Sequence, residues 1–269
     1  MTALEKLENK NDEGKFICVG LDTDIKKIPV HLKNIPNNIF EFNKQIIENT
    51  IDKAAAYKLN LAFYECLGLE GLKQLEKTLE IIPTDILTIG DAKRGDIGNT
   101  SKMYAKSIFE YFKFDSITLH PYMGYDSVSP FLEYTDKLNF VLVLTSNKGA
   151  EDFEKIELKN GNRLYQLIIE KIKEWCNNNC GIVFGATQTK ELEENIENFG
   201  QLPVLVPGIG AQGGNLTDLI NIFSKRDKMK LLINVSRSII YKDNSENFAK
   251  AAKNELAELN KTVSKILFK

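Results

Sequence analysis

Short apolar runs alternate along the chain with longer segments whose apolar residues recur at helical spacing. The strand candidates are 16–21 (FICVGL), 56–62 (AYKLNLA), 86–91 (ILTIGD), 115–119 (DSITL), 139–145 (NFVLVLT), 180–185 (CGIVFG), 203–207 (PVLVP) and 231–235 (LLINV). Most are short, rich in Val, Ile and Leu, and bounded by Gly, Pro or Asp, the pattern of strands buried on both faces of a parallel sheet. Between them, 38–54 carries Ile39, Phe42, Ile46 and Ile47 on one face, and 70–81, 98–113, 163–177, 189–199, 215–225 and 245–267 behave similarly. Segment 125–134 is short and weak, and Pro130 is expected to interrupt it.

Eight strand–helix units use almost all of the 269 residues. That count and size predict an α/β fold, a (β/α)8 TIM barrel occupying 1–269 as a single domain. A doubly wound sheet is the rival, because local pattern cannot see closure. A barrel would place functional residues at the C-terminal ends of its strands.

Charge and composition narrow the function. Lys+Arg 35 against Asp+Glu 37 gives a net charge of −2, which argues against the basic face a nucleic-acid partner needs. No apolar run approaches the roughly 20 residues of a membrane-spanning helix. The start, Met1-Thr-Ala-Leu-Glu-Lys, has no signal-peptide core, so a cytoplasmic location is expected. Cys176 and Cys180 lack a second pair or a nearby His, which argues against a zinc site; Cys18 and Cys66 lie in apolar stretches and read as small core residues. With only His31 and His120 present, acid–base work falls to lysines and carboxylates. His120, before Pro121, reads as a packing or loop-shaping residue.

Charged residues then stand where apolar ones belong. The first strand runs into Asp22, the second contains Lys58 and Asn60, and the third runs into Asp91-Ala-Lys93-Arg-Gly-Asp96-Ile97-Gly-Asn-Thr100. Side chains alternate faces along a strand, so Asp91 and Lys93 point together, as do Lys58 and Asn60. At a barrel mouth that direction is inward, giving a cluster of Asp22, Lys58, Asp91 and Lys93, in which the acids keep the lysines charged. After the seventh strand, Pro207-Gly208-Ile-Gly210-Ala-Gln212-Gly-Gly contains a literal GxGxxG, but the acid a dinucleotide site expects is replaced by Asn234-Val-Ser236-Arg237. The better reading is a phosphate cup: glycine N–H groups, the next helix N-terminus and the Arg237 guanidinium.

The run Asp91-Ala-Lys93-Arg-Gly-Asp96 matches the DxKxxD signature of the orotidine 5′-phosphate decarboxylase family, and its extension resembles the long-chain bacterial and Plasmodium-like group. Leu21-Asp22-Thr-Asp, Lys58-Leu-Asn60, His120-Pro-Tyr-Met-Gly, Leu144-Thr145-Ser146-Asn, the glycine run and Ser236-Arg237 extend the resemblance, in order, over nearly the whole chain. Leu59 departs from it, standing where many relatives have Pro.

The resemblance implies cofactor-independent decarboxylation of orotidine 5′-phosphate to uridine 5′-phosphate and CO2, the last step of de novo UMP synthesis. It implies that Lys93 protonates the carbon losing CO2 beside Asp91, that Asp22 and Lys58 hold ribose hydroxyls, and that Asn60 lines the same site. Ser146, assisted by Thr145, would read the pyrimidine edge. Gln212 and Arg237, with backbone near Gly210 and Ser236, would grip the phosphate. Asp96, Ile97 and Thr100 would enter the neighbouring subunit's site, making a homodimer with shared active sites. Association with a separate orotate phosphoribosyltransferase stays open. So do three other readings: a Mg²⁺-dependent sugar-phosphate decarboxylase on the same barrel, a Schiff-base aldolase, and a non-catalytic phosphate-ligand binding barrel.

Overall fold

A computed structural model of the chain describes residues 1–210, 213–226 and 230–267. Eight parallel strands close into a barrel in sequence order: β1 (Ile17–Gly20), β2 (Ala56–Asn60), β3 (Leu87–Arg94), β4 (Ser116–Leu119), β5 (Leu138–Leu144), β6 (Cys180–Phe184), β7 (Val204–Pro207) and β8 (Leu231–Val235). The pairing of β8 with β1, Ile233 opposite Ile17, makes the closure that local pattern could not see and rules out the open doubly wound sheet. Every strand candidate is a strand, most within two residues of the expected ends, while β3 runs three residues past its expected end to Arg94.

The apolar residues divide as a barrel requires. One cluster, with Cys18, Leu87, Ile89, Phe140, Val183, Leu205 and Leu232, fills the interior, while a larger one packs the helices onto the outside. The helix Asn38–Thr50 buries Ile39, Phe42, Ile46 and Ile47, the face its spacing predicted. Segment 98–113 splits into an α-helix Gly98–Lys106 and a π-helical turn Ser107–Tyr111. Pro130 lies inside the helix Tyr125–Leu132 and does not interrupt it, a correction to the expectation. As the sixth of eight residues it forgoes a single intrahelical bond in the last turn, and the helix ends two residues later.

A helix at Ala3–Asp12 has no counterpart among the expected elements. Its N-terminus was legible: Thr2 and Glu5 form a reciprocal capping box, with Thr2 N–H donating to Glu5 at 2.7 Å and Glu5 N–H to Thr2 at 3.2 Å. It plugs the N-terminal end of the barrel, adding Ala3 and Leu7 to the interior cluster. The Asn11 amide donates to Leu231 O at 3.0 Å and accepts from Leu231 N–H at 2.8 Å, pairing the start of β8 like another strand. Cys18 is buried as expected, but Cys66 is exposed after the short helix Ala62–Glu65. Cys176 and Cys180, at the entry to β6, are joined in a disulfide that the sequence reading did not foresee.

Asn11→Ala leaves both Leu231 backbone groups unpaired in a buried setting. We expect it to destabilise the fold by about 1–3 kcal/mol in urea unfolding, while activity at the opposite end of the barrel is unchanged.

Candidate active site

Where the strands end, the interior changes from apolar to charged and opens into a cavity of about 300 Å³. Asp22, Lys58, Asn60, Asp91 and Lys93 line one side; Ser146 and Thr145 line another; Gly208, Ile209, Ser236 and Arg237 close the third. The predicted charged row and the predicted phosphate cup therefore share one cavity at the C-terminal face.

Asp91 is the centre of the row. Its Oδ2 accepts from Lys58 Nζ at 2.7 Å and its Oδ1 from Lys93 Nζ at 2.5 Å, while Asp22 lies 3.5 Å from Lys58 Nζ. Lys58 is 4% exposed. Burial alone would raise the Asp91 carboxyl, but the Lys58 and Lys93 charges outweigh it and hold the acid well below the usual carboxylate range. Burial likewise opposes the Lys58 charge, and Asp91 and Asp22 overcome it, raising that ammonium above the ordinary lysine value. Each oxygen of Asp91 is already engaged by an ammonium, so little of this carboxylate is left for the metal that a Mg²⁺-dependent decarboxylase would place here.

Strand alternation is not how Asp91 and Lys93 come together. Opposite β4, β3 advances from Gly90 to Arg94 while its partner advances only from Ile117 to Leu119. The surplus forms a bulge that carries Asp91, Ala92 and Lys93. Lys93 sits at φ +46°, in the left-handed region that side-chain-bearing residues avoid. Thr118 holds it there: its Oγ1 accepts the Lys93 N–H at 3.0 Å and donates to Asp91 Oδ1 at 2.9 Å. Strain at the residue whose ammonium faces the cavity is a mark of function. Sequence reasoning missed Thr118, although its place at the inward end of β4 could have flagged it.

The glycine run forms the opposite wall. Gly208, Gly210 and Gly213 have φ of +105°, +77° and +92°, so the turn needs residues without a Cβ. Gly210, expected at the phosphate, does not line the cavity, and its N–H donates to Gly214 O at 3.3 Å. Gln212 lies outside the described residues. Arg237 begins the short helix after β8 and forms no ion pair among the described residues. Ser236 Oγ donates to Gly20 O at 3.0 Å, tying this wall to β1. Asn234, also unassigned in the sequence reading, lines the floor between the two walls.

Thr145 reaches the cavity, but its hydroxyl lies within 3.0 Å of both Glu154 carboxylate oxygens and 2.7 Å from Asn147 Oδ1. Asp96, Ile97 and Thr100 do not line this cavity. They stand at the start of the helix Gly98–Lys106, with Ile97 60% exposed. His120 shapes the adjoining turn, its Nδ1 accepting from Tyr122 N–H at 3.0 Å.

Comparison with known proteins bears directly on this arrangement. The family described as orotidine 5′-phosphate decarboxylase / HUMPS matches residues 15–252. An orotidine 5′-phosphate decarboxylase of Bacteroides fragilis is 47% identical over 264 residues, 97% of this chain and 96% of that one. A solved structure of Leishmania donovani OMP decarboxylase superposes with a TM-score of 0.85 at 36% identity, covering 100% of both chains. Leishmania donovani UMP synthase matches with a TM-score of 0.83 at 37% identity over 96% of this chain and 56% of its own.

The paired charges give a pH signature. A depressed Asp91 adds stability that is fully present above the ordinary aspartate value near about 4 and is lost as pH falls toward its folded value. A raised Lys58 adds stability that is fully present below about 10.4 and is lost as pH rises through its folded value. Asp91→Asn strands Lys58 with only Asp22, and we expect it to lose about 3 kcal/mol in urea unfolding at neutral pH, with the gap to the parent narrowing below about pH 4.

Proposed function

The chain belongs to the orotidine 5′-phosphate decarboxylase / HUMPS family, and from that premise we propose that it converts orotidine 5′-phosphate to uridine 5′-phosphate and CO2, the closing step of UMP synthesis. It is a carbon–carbon lyase. The observation that carries the reading is the Lys58–Asp91–Lys93 row sharing one cavity with Gly208, Ser236 and Arg237.

Breaking the bond to the carboxylate leaves an electron pair in an in-plane sp² orbital of the pyrimidine carbon, which the ring π-system cannot delocalise. The site must therefore stabilise that charge electrostatically. Lys93 supplies the cation and then the proton: the carbon–carboxylate pair stays on the ring, CO2 departs, and the ammonium proton fills the vacated position. Its side chain is 49% exposed, so water can restore the proton afterwards. Asp91 orients Lys93 and lies beside the departing carboxylate, while Lys58 keeps Asp91 ionised. Asp22 and Lys58 meet ribose hydroxyls, with Asn60 completing that wall. Ser146 reads the pyrimidine edge, and Thr145 assists by holding the segment that carries it. Arg237, Ser236, Gly210 and Gln212 hold the phosphate, whose binding energy is available to assemble the row around the reacting carbon.

The working unit is a homodimer, each chain acting as one domain over 1–269. Asp96, Ile97 and Thr100 lie outside their own cavity, in a stretch followed by exposed Met103, Tyr104 and Tyr111. A partner covering this face receives them in its own site. A charged substrate and product, which do not cross membranes unaided, support a cytoplasmic location. A separate orotate phosphoribosyltransferase, whose product would be this substrate, is a compatible partner, and neither nucleic acid nor membrane is needed.

The loss of orotidine 5′-phosphate ultraviolet absorbance, followed in excess chelator, tests the reaction. We expect full turnover in the parent and at least about a thousandfold loss in Lys93→Ala with its fold intact; substantial turnover in that variant defeats the proton-donor role. Site sharing has its own test. Mixing inactive Lys93→Ala and Asp96→Ala proteins should restore a fraction of the activity through hybrid sites, whereas proven subunit exchange without recovery refutes it.

A further inference from the structure

We infer that Glu154, which does not touch the cavity, is the positioning residue that sets the base-reading geometry of Ser146, and so controls affinity for the pyrimidine separately from affinity for the sugar phosphate. The inference rests on the reading above, in which Ser146 meets the pyrimidine edge.

The β5–β6 ladder ends where Gly185 N–H donates to Leu144 O at 2.7 Å. Beyond it the Thr145 N–H has no strand partner, and Glu154 supplies one: Thr145 N–H donates to Oε2 at 2.7 Å, and Thr145 Oγ1 lies 2.9 Å and 3.0 Å from the two carboxylate oxygens. Bonds from a backbone amide to a carboxylate are charge-assisted and about twice as strong as neutral ones. The carbonyl side of the same residue is fixed by Gln188, whose Nε2 donates to Thr145 O at 2.9 Å. Below the next residue there is no slack. A Cβ on Gly185 would stand 2.8 Å from Ser146 N and 3.0 Å from its Cα, so the glycine lets the Ser146 backbone settle against β6.

Glu154 is itself held in place. It belongs to an excursion between β5 and the helix Leu164–Trp175, where Tyr165 N–H donates to Glu154 O at 2.9 Å. The next residue, Lys155, pairs with Glu191 at 2.7 Å and Glu151 at 2.9 Å. The excursion thus grips the helix Thr189–Asn195 with Lys155 and the exit of β5 with Glu154. Both backbone polar groups and the hydroxyl of Thr145 are committed to this frame, so a change at Glu154 reaches Ser146 through the backbone of its neighbour.

Affinities for uridine 5′-phosphate and for ribose 5-phosphate, which lacks the base, separate this role from general support of the mouth. In Glu154→Ala, uridine 5′-phosphate should bind about tenfold more weakly, with KM for orotidine 5′-phosphate rising in step. Ribose 5-phosphate should bind within about twofold of the parent, because its contacts lie on the other walls. Glu154→Gln keeps an acceptor for the Thr145 N–H and should recover most of the loss. Three results overturn the inference: unchanged uridine 5′-phosphate affinity in Glu154→Ala, an equal loss for both ligands, or a Glu154→Gln protein as impaired as Glu154→Ala. If Glu154→Ala does not fold, Glu154→Asp, which keeps the charge but shortens its reach, must show the same split, and unchanged affinity there overturns it too. A parent that neither binds uridine 5′-phosphate nor consumes orotidine 5′-phosphate overturns the assigned reaction, and the inference with it.

Discussion

One carboxylate shared by two ammonium groups organises this molecule. Below Asp91 the barrel interior is apolar, with Cys18, Leu87 and Ile89 packed where water does not reach. Lys58 stands directly above that layer, and an unpaired ammonium there would carry a large desolvation cost. Asp91 removes it, and Asp22 adds to the effect. The same low-dielectric surroundings that make the pair necessary also make its field strong at the cavity floor. The Cys18 thiol beneath is pushed up to about 12 by burial, so it remains neutral and adds no charge to the row.

Strand pairing and loop geometry hold different walls. The groups assigned to the chemistry sit on β2 and β3, braced by Thr118 from β4, with Asp22 just past the end of β1. The groups assigned to the phosphate sit in the turn after β7 and the short helix after β8, built on glycines with positive φ. Such a division suits a reaction in which remote binding energy must be used at the reacting carbon. Lys93 is the exception on the strand side. Its left-handed backbone is imposed by the β3 bulge and held by Thr118, so an exposed lysine is aimed by its main chain more than by packing of its own stem.

What the sequence disclosed follows from how each feature is encoded. The barrel could be read because each buried strand is a compact apolar run. Lys58 and Asp91 stood out because a charge inside such a run has no cheap explanation. The bulge was not legible: alternation brings Asp91 and Lys93 to one face by a simpler route, and no residue in Asp91-Ala-Lys93 announces an extra pair of residues. Glu154 was hidden for another reason. It acts from an irregular excursion with no periodicity, on a backbone N–H that sequence does not display. The Ala3–Asp12 helix was overlooked through its polarity, since it buries Lys6, Lys10 and Asn11 along with Leu7. Cys66 misled because an apolar neighbourhood in sequence is not one in space; it falls just past a one-turn helix, facing outward.

The signature run Asp91 to Thr100 is best understood as two functions joined at a hinge. Asp91 and Lys93 line the chain's own cavity, whereas Asp96, Ile97 and Thr100 do not. The division falls at Arg94 and Gly95. His120 N–H donates to Arg94 O at 2.8 Å, and a Cβ on Gly95 would stand 2.8 Å from His120 O, so only glycine lets the chain turn this close to the end of β4. Arg94 anchors the outgoing leg through its ion pair with Glu65 and its guanidinium 5.2 Å from the Tyr104 ring centroid. The lysine proposed to protonate one substrate and the aspartate proposed to reach the next site are thus separated by a single pinned turn. In the dimer proposed above, a shift of either segment would be felt by the other, which gives a physical reason for both to lie within one short stretch of sequence.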